Sequence, residues 1–345
     1  MIDSSHIQYM QRCLELAQKG MGNVSPNPMV GAVLVHDNKI IGEGYHQQFG
    51  AAHAEVNCLH SVVDKELIPF STLYVSLEPC SHYGKTPPCA NLILENKIKK
   101  VVIATTDFSS KVNGKGILLL KENGVEVIEG VMKHEAIELN KRFFYSQENK
   151  QPYIILKWAQ SKDGFISKVN EKIQISSELT NTLVHQWRHE EDAIWVGFNT
   201  ALVDNPQLNV RHVVGKNPIR VVLDKNLSLP NQLNLFDQTQ STFIYNYKKN
   251  EIEHLNHFIK IDTENYLSKI LDNLYEQNIS SVIIEGGAKL LQQIIDLNLW
   301  NEIRMICSPI ELNEGVAAPR IKNARLQQTS MIDHDSIQIY KNLKK

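Results

Sequence analysis

The 345-residue chain has no stretch of 18 consecutive apolar residues, which excludes a membrane-spanning helix on length alone. It has almost no net charge. Lys and Arg number 36 against 38 Asp and Glu, a difference of −2, so no positive field draws the chain onto nucleic acid or an anionic membrane. The first six residues lack the basic start and apolar stretch of a secretion signal, and a cytoplasmic location is expected. Cysteine is scarce and odd in number: Cys13, Cys58, Cys80, Cys89 and Cys307 make no disulfide framework, so each is a buried thiol, a metal ligand or a catalytic group. No G-x-G-x-x-G run occurs, which argues against an ordinary Rossmann dinucleotide site. Low-complexity tracts and internal repeats are also missing.

What the chain does contain is ordinary globular material, 42% hydrophobic and 21% charged, with a mean hydropathy of −0.27. Its length exceeds what one core usually serves and predicts two domains. Periodicity predicts a helix over 7–19, a hairpin of strands 30–35 and 39–45 about Asp37-Asn38, and a helix over 52–63. Strand 72–77, helix 89–96, strand 100–105, helix 117–123, strand 125–129 and one helix over 132–144 follow. This alternation is the α/β signature. The polar residues 146–152 have no apolar period and end in proline, which puts a domain boundary there, between 147 and 148. Alternation restarts with strand 153–158, helix 179–191, strands 193–196, 220–223 and 242–245, helix 266–277, strand 281–284, helix 288–297 and strand 302–307.

Chemistry concentrates first in His53-Ala54-Glu55, in Pro79-Cys80 after a strand, and in Cys89 behind Pro87-Pro88 at a helix start. Prolines suit a first helical turn, and the positive helix end favours a thiolate. One imidazole and two thiolates make a three-ligand zinc site whose fourth position is left for water, the catalytic arrangement. Glu55, two residues from the imidazole, is then placed to carry a proton to a leaving nitrogen. Hydrolytic deamination is the chemistry these residues imply. His82 as a fourth ligand would instead close the site and make the metal structural. Cys13, Cys58 and Cys307 read as small buried hydrophobes.

These residues, with Asn27-Pro28-Met29-Val30-Gly31 and the long interval between Cys80 and Cys89, resemble the deaminase half of the bifunctional riboflavin-biosynthesis RibD family. The fold then implied is α/β throughout, a cytidine-deaminase-like domain followed by a dihydrofolate-reductase-like domain. The resemblance implies zinc-dependent deamination of a ribosylated pyrimidinone 5′-phosphate, a small phosphorylated pyrimidine, with substrate contacts at Asn27, His46, His82, Lys85 and Asp107. Relatives commonly continue Asp107 with Pro-Asn-Pro, where this chain has Phe108-Ser109-Ser110. Asp107 could equally cap a turn.

In the second half, Val282-Ile283-Ile284-Glu285-Gly286-Gly287-Ala288 reads as strand, glycine turn and helix start, where free N–H groups can meet phosphate. Alone, Gly-Gly after a strand is more often a plain tight turn. Joined to Lys157, the run Gly197 to Pro206 and Arg211, it resembles the family's reductase half. That resemblance implies an NADPH hydride donor, cofactor contacts at Gln160, Thr200, Asp204 and Gly287, substrate contacts at Leu208, Arg211 and Glu285, and proton handling by Lys157 and Asp204. It also implies a homodimer through the reductase half. Two departures stand out: Gln174-Ile175-Ser176-Ser177 where relatives show Trp-Ile-Thr-Ser, and Asn181 at an arginine position, for which Lys172 or Arg211 could compensate. Lys157 reads alternatively as a solvated strand-edge residue and Arg211 as a surface ion pair. Glu285 would be costly to bury without a partner. The competing functions are a zinc nucleoside or base deaminase with a vestigial second half, and a non-catalytic module binding zinc and a dinucleotide.

Overall fold

The computed structural model describes residues 4–81, 87–107, 114–168 and 173–344. The chain divides after Lys150 into two compact units.

In the first unit the order is α1 (Ser4–Gln18), β1 (Gly31–His36), β2 (Lys39–Tyr45), α2 (Ala54–Ser61), β3 (Thr72–Val75), α3 (Cys89–Glu95), β4 (Lys100–Ile103), α4 (Lys115–Glu122), β5 (Glu126–Glu129), α5 (Lys133–Leu139) and α6 (Lys141–Asn149). Asp37 and Asn38 both take positive φ, the backbone that a two-residue hairpin turn requires. The sheet runs β2-β1-β3-β4-β5, with β1 antiparallel to its neighbours and β3, β4 and β5 parallel. Strand alternation separates two cores: Ala32, Leu34, Leu73 and Val101 pack with Cys58, Ile93 and Leu120, whereas Val33, Tyr74 and Val102 pack with Met10, Cys13 and Ala136. Gly31 is obligatory between strand and helix, because a methyl there would collide with the Cys13 carbonyl of α1.

The expected helix over 132–144 is two helices. Asn140 breaks it: its amide is buried and bonds both ways to the Met29 backbone, accepting from N (2.8 Å) and donating to O (2.9 Å). The polar residues after 144, expected to be irregular, continue as helix to Asn149, where Lys150 ends α6 with a left-handed turn.

The second unit continues with β6 (Tyr153–Gln160), β7 (Phe165–Ser167), α7 (Glu178–Glu190), β8 (Ala193–Val196), α8 (Phe198–Asp204), β9 (Ile219–Leu223), β10 (Thr242–Asn246), β11 (Glu251–Glu253), β12 (Asn256–Lys260), α9 (Tyr266–Glu276), β13 (Ser281–Ile284), α10 (Ala288–Asp296), β14 (Glu302–Cys307), β15 (Val316–Ala317), β16 (Ala324–Ile332) and β17 (Asp335–Asn342). Its ten-stranded sheet runs β11-β12-β10-β9-β8-β13-β6-β14-β17-β16. The block from β12 to β14 is parallel, and antiparallel strands close both edges. Ile154, Leu156, Trp195 and Ile284 form one core with α9 and α10. The helix α8 and the hairpin β16–β17 go beyond the expected elements. Among the described residues no helix is long and apolar enough to cross a membrane.

Candidate functional sites at the carboxyl ends of parallel strands

Parallel strands leave a crevice beyond their carboxyl ends where connections begin, and both clusters of chemically capable residues fall at such ends. In the first unit Cys80 and Asp107 follow β3 and β4. His53 is the N-cap of α2, Glu55 lies in its first turn, and Cys89 opens α3 behind Pro88. The ligand atoms of His53, Cys80 and Cys89 all lie within 4.8 Å of one another. His53 Nδ1 is 3.6 Å from Cys80 Sγ and 3.3 Å from Cys89 Sγ. A tetrahedral zinc with bonds of about 2.0 and 2.3 Å demands nitrogen–sulfur edges of about 3.5 Å, so this donor set fits the ion in type and in spacing.

Electrostatics agree with that role. The Cys80 thiol is pulled down to about 4, first by its bond with Cys89 and further by His53, against the opposing effect of burial. The Cys89 backbone N–H also donates to Cys80 Sγ at 3.3 Å. Glu55 is buried, and burial with the neighbouring Cys80 charge raises its carboxyl to about 7. A carboxyl that titrates near neutrality can both take and release a proton.

His46 meets His53 edge-on, with ring centroids 5.6 Å apart. Its Nδ1 bonds the Ala52 carbonyl (3.0 Å) and its Nε2 bonds Asn27 Nδ2 (3.1 Å), so the ring donates at Nδ1 and accepts at Nε2. Burial pushes its pKa down, which favours that neutral form. Asn27 and His46 are thus brought together beside the metal ligands. Asp107 is buried beside Glu78, whose carboxylate accepts from the backbone N–H groups of Asp107 (3.2 Å), Gly114 (3.0 Å), Gly116 (2.8 Å) and Ile117 (3.3 Å). Sequence reasoning missed Glu78. Its position just before Pro79-Cys80, a carboxylate after an apolar strand, was the available signal. His82, Lys85 and Ser109 lie outside the described residues.

In the second unit Lys157 is not a solvated edge residue. It lies on β6 between β13 and β14, and its ammonium is 3.9 Å from Glu285, just beyond β13. Arg188 of α7 grips the same carboxylate with two bonds, Nε to Oε1 (2.8 Å) and Nη2 to Oε2 (2.7 Å). Burial alone would raise the Glu285 carboxyl, but Arg188 and then Lys157 bring it to about 2. Burial pushes the Lys157 pKa down, and Glu285 opposes this. The partner that Glu285 needed is therefore a pair of cations, and Arg188 was missed because it lies 97 positions away in the chain.

Thr200 of α8 accepts from the Gly287 N–H at 2.9 Å, and Gly197 N donates to Gly286 O at 3.1 Å. Gly286 has φ +135°, and a methyl at Gly287 would stand only 3.1 Å from the Thr200 hydroxyl. These bare glycines leave the backbone at the start of α10 open to the close approach that a cofactor phosphate needs, with the Gly287 N–H itself taken by Thr200. Asp204 ends α8 on the exposed side, while Leu208 is buried with φ +53° and its carbonyl accepts from Gln240. Gln160 accepts from the Trp158 indole (2.8 Å). Arg211 is exposed and donates to Asn209 Oδ1 (3.0 Å) rather than to a carboxylate, and its backbone N–H is held by His185 Nδ1 (3.3 Å). Where the sequence departs from the family pattern, Asn181 accepts from the Ser176 hydroxyl (3.2 Å) and Gln174 donates to the Ser176 carbonyl (3.1 Å). Lys172 lies outside the described residues.

Comparison with known proteins covers both units. The model of the RibD C-terminal domain matches residues 152–341, and that of the cytidine and deoxycytidylate deaminase zinc-binding region matches residues 3–105. The riboflavin biosynthesis protein RibD of Actinobacillus pleuropneumoniae is 36% identical over 336 residues, covering 93% of this chain and 88% of its own length. The chain belongs to the RibD family. The RibD of Aquifex aeolicus is 37% identical over 316 residues, with 90% and 88% covered. A crystal structure of the deaminase/reductase from Thermotoga maritima has a TM-score of 0.91 at 34% identity, over 98% of this chain and 99% of that one. This member is thus a bifunctional deaminase and reductase of riboflavin biosynthesis, with a cytidine-deaminase-like and a dihydrofolate-reductase-like domain, and its cofactors are zinc and NADPH.

Proposed function

We propose that the first unit deaminates 2,5-diamino-6-ribosylamino-4(3H)-pyrimidinone 5′-phosphate and that the second reduces the ribosyl group of the product to ribityl. The substrates named for the Thermotoga maritima relative support this assignment. The observation that carries it is the His53–Cys80–Cys89 triangle with a buried carboxyl, Glu55, in the same helical turn. Zinc, when held by those three, supplies the Lewis acidity that activates water near neutral pH. Glu55 takes the proton of the attacking water and delivers it to the departing amine. Asn27 and His46 contact the pyrimidine, with the neutral His46 fixed as a donor at Nδ1 to Ala52 and an acceptor at Nε2. Asp107 adds a further substrate contact from the end of β4.

NADPH, when held by the second unit, would supply a hydride for the imine carbon of the opened ribosylamine, and this chain's residues would supply the proton that the nitrogen needs. Lys157, its ammonium made more acidic by burial, donates that proton, and Asp204 shares the proton handling. Glu285 accepts sugar hydroxyls, Arg211 neutralises the 5′-phosphate, and Leu208 lines the site. Gln160, Thr200, Asp204 and Gly287 hold the cofactor. Two copies associate through the reductase half, and the protein works in the cytoplasm. Its five unpaired cysteines support a reducing compartment.

Purified protein mixed with the diaminopyrimidine ribosyl phosphate should release one ammonia per substrate, then oxidise one NADPH, with NADH a poor substitute. Ammonia release without NADPH oxidation would leave only the deaminase half of the assignment. Light scattering should give twice the 39.3 kDa chain mass. A monomer would overturn the dimer.

A further inference from the structure

Between α8 and β9 the chain runs from 205 to 218 without helix or strand, and Arg211 lies on this segment. Its base is closed. The buried Gln240 amide donates to the carbonyls of Leu208 and Pro218, both at 3.1 Å, and the Val210 N–H donates to Asn217 Oδ1 at 2.8 Å. The strap so formed is fastened to α7 at two backbone N–H groups. His185 Nδ1 accepts from the Arg211 N–H (3.3 Å), and His189 Nδ1, one turn on, accepts from the Lys216 N–H (2.9 Å). Four residues apart, the two rings share one face of the helix. Arg188, on the same face, adds a bond from Nη1 to the Asn209 carbonyl (3.2 Å). The fit is close at both histidines: a methyl on Gly215 would stand 2.5 Å from Cγ and Nδ1 of His189, and the His212 ring meets His185 edge-on with centroids 4.5 Å apart.

We infer that His185 and His189 are positioning residues of the reductase site: by docking residues 211–216 on α7 through neutral acceptor nitrogens, they fix where the Arg211 guanidinium meets the substrate phosphate. This rests on the reading of Arg211 as the phosphate ligand. An Nδ1 that accepts carries no proton, so each ring is neutral with its hydrogen on Nε2. At His185 burial, followed by Arg188, Arg211 and His212, holds the pKa down at about 4 against the pull of Glu285, which keeps that form at neutral pH. Imidazole is chemically apt here. A carboxylate could accept the same N–H groups, but beside Arg211 it would take the guanidinium for itself. A neutral acceptor fastens the backbone and leaves the cation to the ligand: Arg211 is exposed, and its side chain bonds a neutral amide, Asn209 Oδ1, at 3.0 Å. An arginine on an unfastened loop would have to be ordered at each binding event, a cost that docking on α7 removes in advance.

Full-length His185→Phe, His185→Asn, His189→Phe, Gly215→Ala and Arg211→Ala proteins test this by NADPH oxidation, with the deaminated ribosylaminouracil phosphate and with the same compound lacking its phosphate. Ammonia release on the same preparations checks the untouched half. His185→Phe removes one acceptor and should raise KM for the phosphorylated compound about fivefold, while kcat and the KM for NADPH stay within about twofold. His189→Phe and Gly215→Ala should act in the same direction from the other end of the strap, and they carry the test if His185→Phe does not fold. His185→Asn, whose amide oxygen can stand in for Nδ1, should recover most of the loss. With the dephosphorylated compound none of these changes should exceed about twofold, since its binding does not call on Arg211. An equal rise on both compounds would make the histidines general supports of the domain and overturn the inference. So would a KM within about twofold of wild type for the phosphorylated compound in every folded strap variant. An unchanged KM in Arg211→Ala would instead overturn the underlying reading of the site.

Discussion

The two halves of this chain assemble their sites by different means. In the deaminase half every candidate metal ligand sits at the start of a helix or just after a strand, within 36 residues of the others, and Glu55, the proposed proton carrier, is two residues from a ligand. In the reductase half the cluster draws Lys157, Arg188, Arg211 and Glu285 from a strand, a helix, a loop and a strand end. A metal needs donors of a fixed kind at fixed distance, so its site is written in short motifs. A cofactor and sugar need surfaces and charges, so theirs is written in tertiary contacts.

Four measurements sharpen or break that contrast. Glu55→Gln should keep zinc, measured by elemental analysis, yet slow ammonia release about 10²- to 10⁴-fold, with NADPH oxidation of the deaminated substrate unaffected. Retention of normal ammonia release would remove Glu55 from its role. Glu285→Gln strands a buried guanidinium and should cost about 3 kcal/mol of stability at neutral pH. All four tryptophans, at 158, 187, 195 and 300, belong to the second half, so their fluorescence reports its unfolding alone. Glu285 is held below its ordinary carboxyl value, at about 2 against 4.5, so its contribution is complete above 4.5 and disappears as pH falls through 2. Wild type and variant should therefore converge over that window, and a gap that persists at pH 2 would refute the charge pairing. Arg211→Ala should raise the reductase KM for the phosphorylated substrate roughly 10- to 100-fold and spare ammonia release. Loss of both activities in a folded protein would contradict separate sites. Thr200→Val removes the acceptor of the Gly287 N–H and should raise KM for NADPH only about fivefold, the net worth of one hydrogen bond. No change there would show that the glycine turn holds without it.

The same contrast decides what could be read in advance. His53, Glu55, Cys80 and Cys89 were legible because helix starts, prolines and metal ligands leave local marks, and the structure brings the three ligands together. Most elements were legible from apolar periodicity, including strand Ser281–Ile284 to the residue. Arg188 was not, since an arginine on an amphipathic helix ordinarily faces water, and only its closeness to Glu285 shows otherwise. The hairpin β16–β17 escaped because its first strand is exposed on both faces, which leaves no alternation to detect. The break at Asn140 escaped because its cause is the Met29 backbone, 111 residues earlier.

That last contact has a consequence for how such enzymes can be rebuilt. Because one amide stitches the final helices of the deaminase half to the segment leading into its first strand, whatever is joined after Lys150 hangs from a closed loop rather than a loose tail. A gene could exchange one downstream partner for another there while the upstream catalyst keeps its shape.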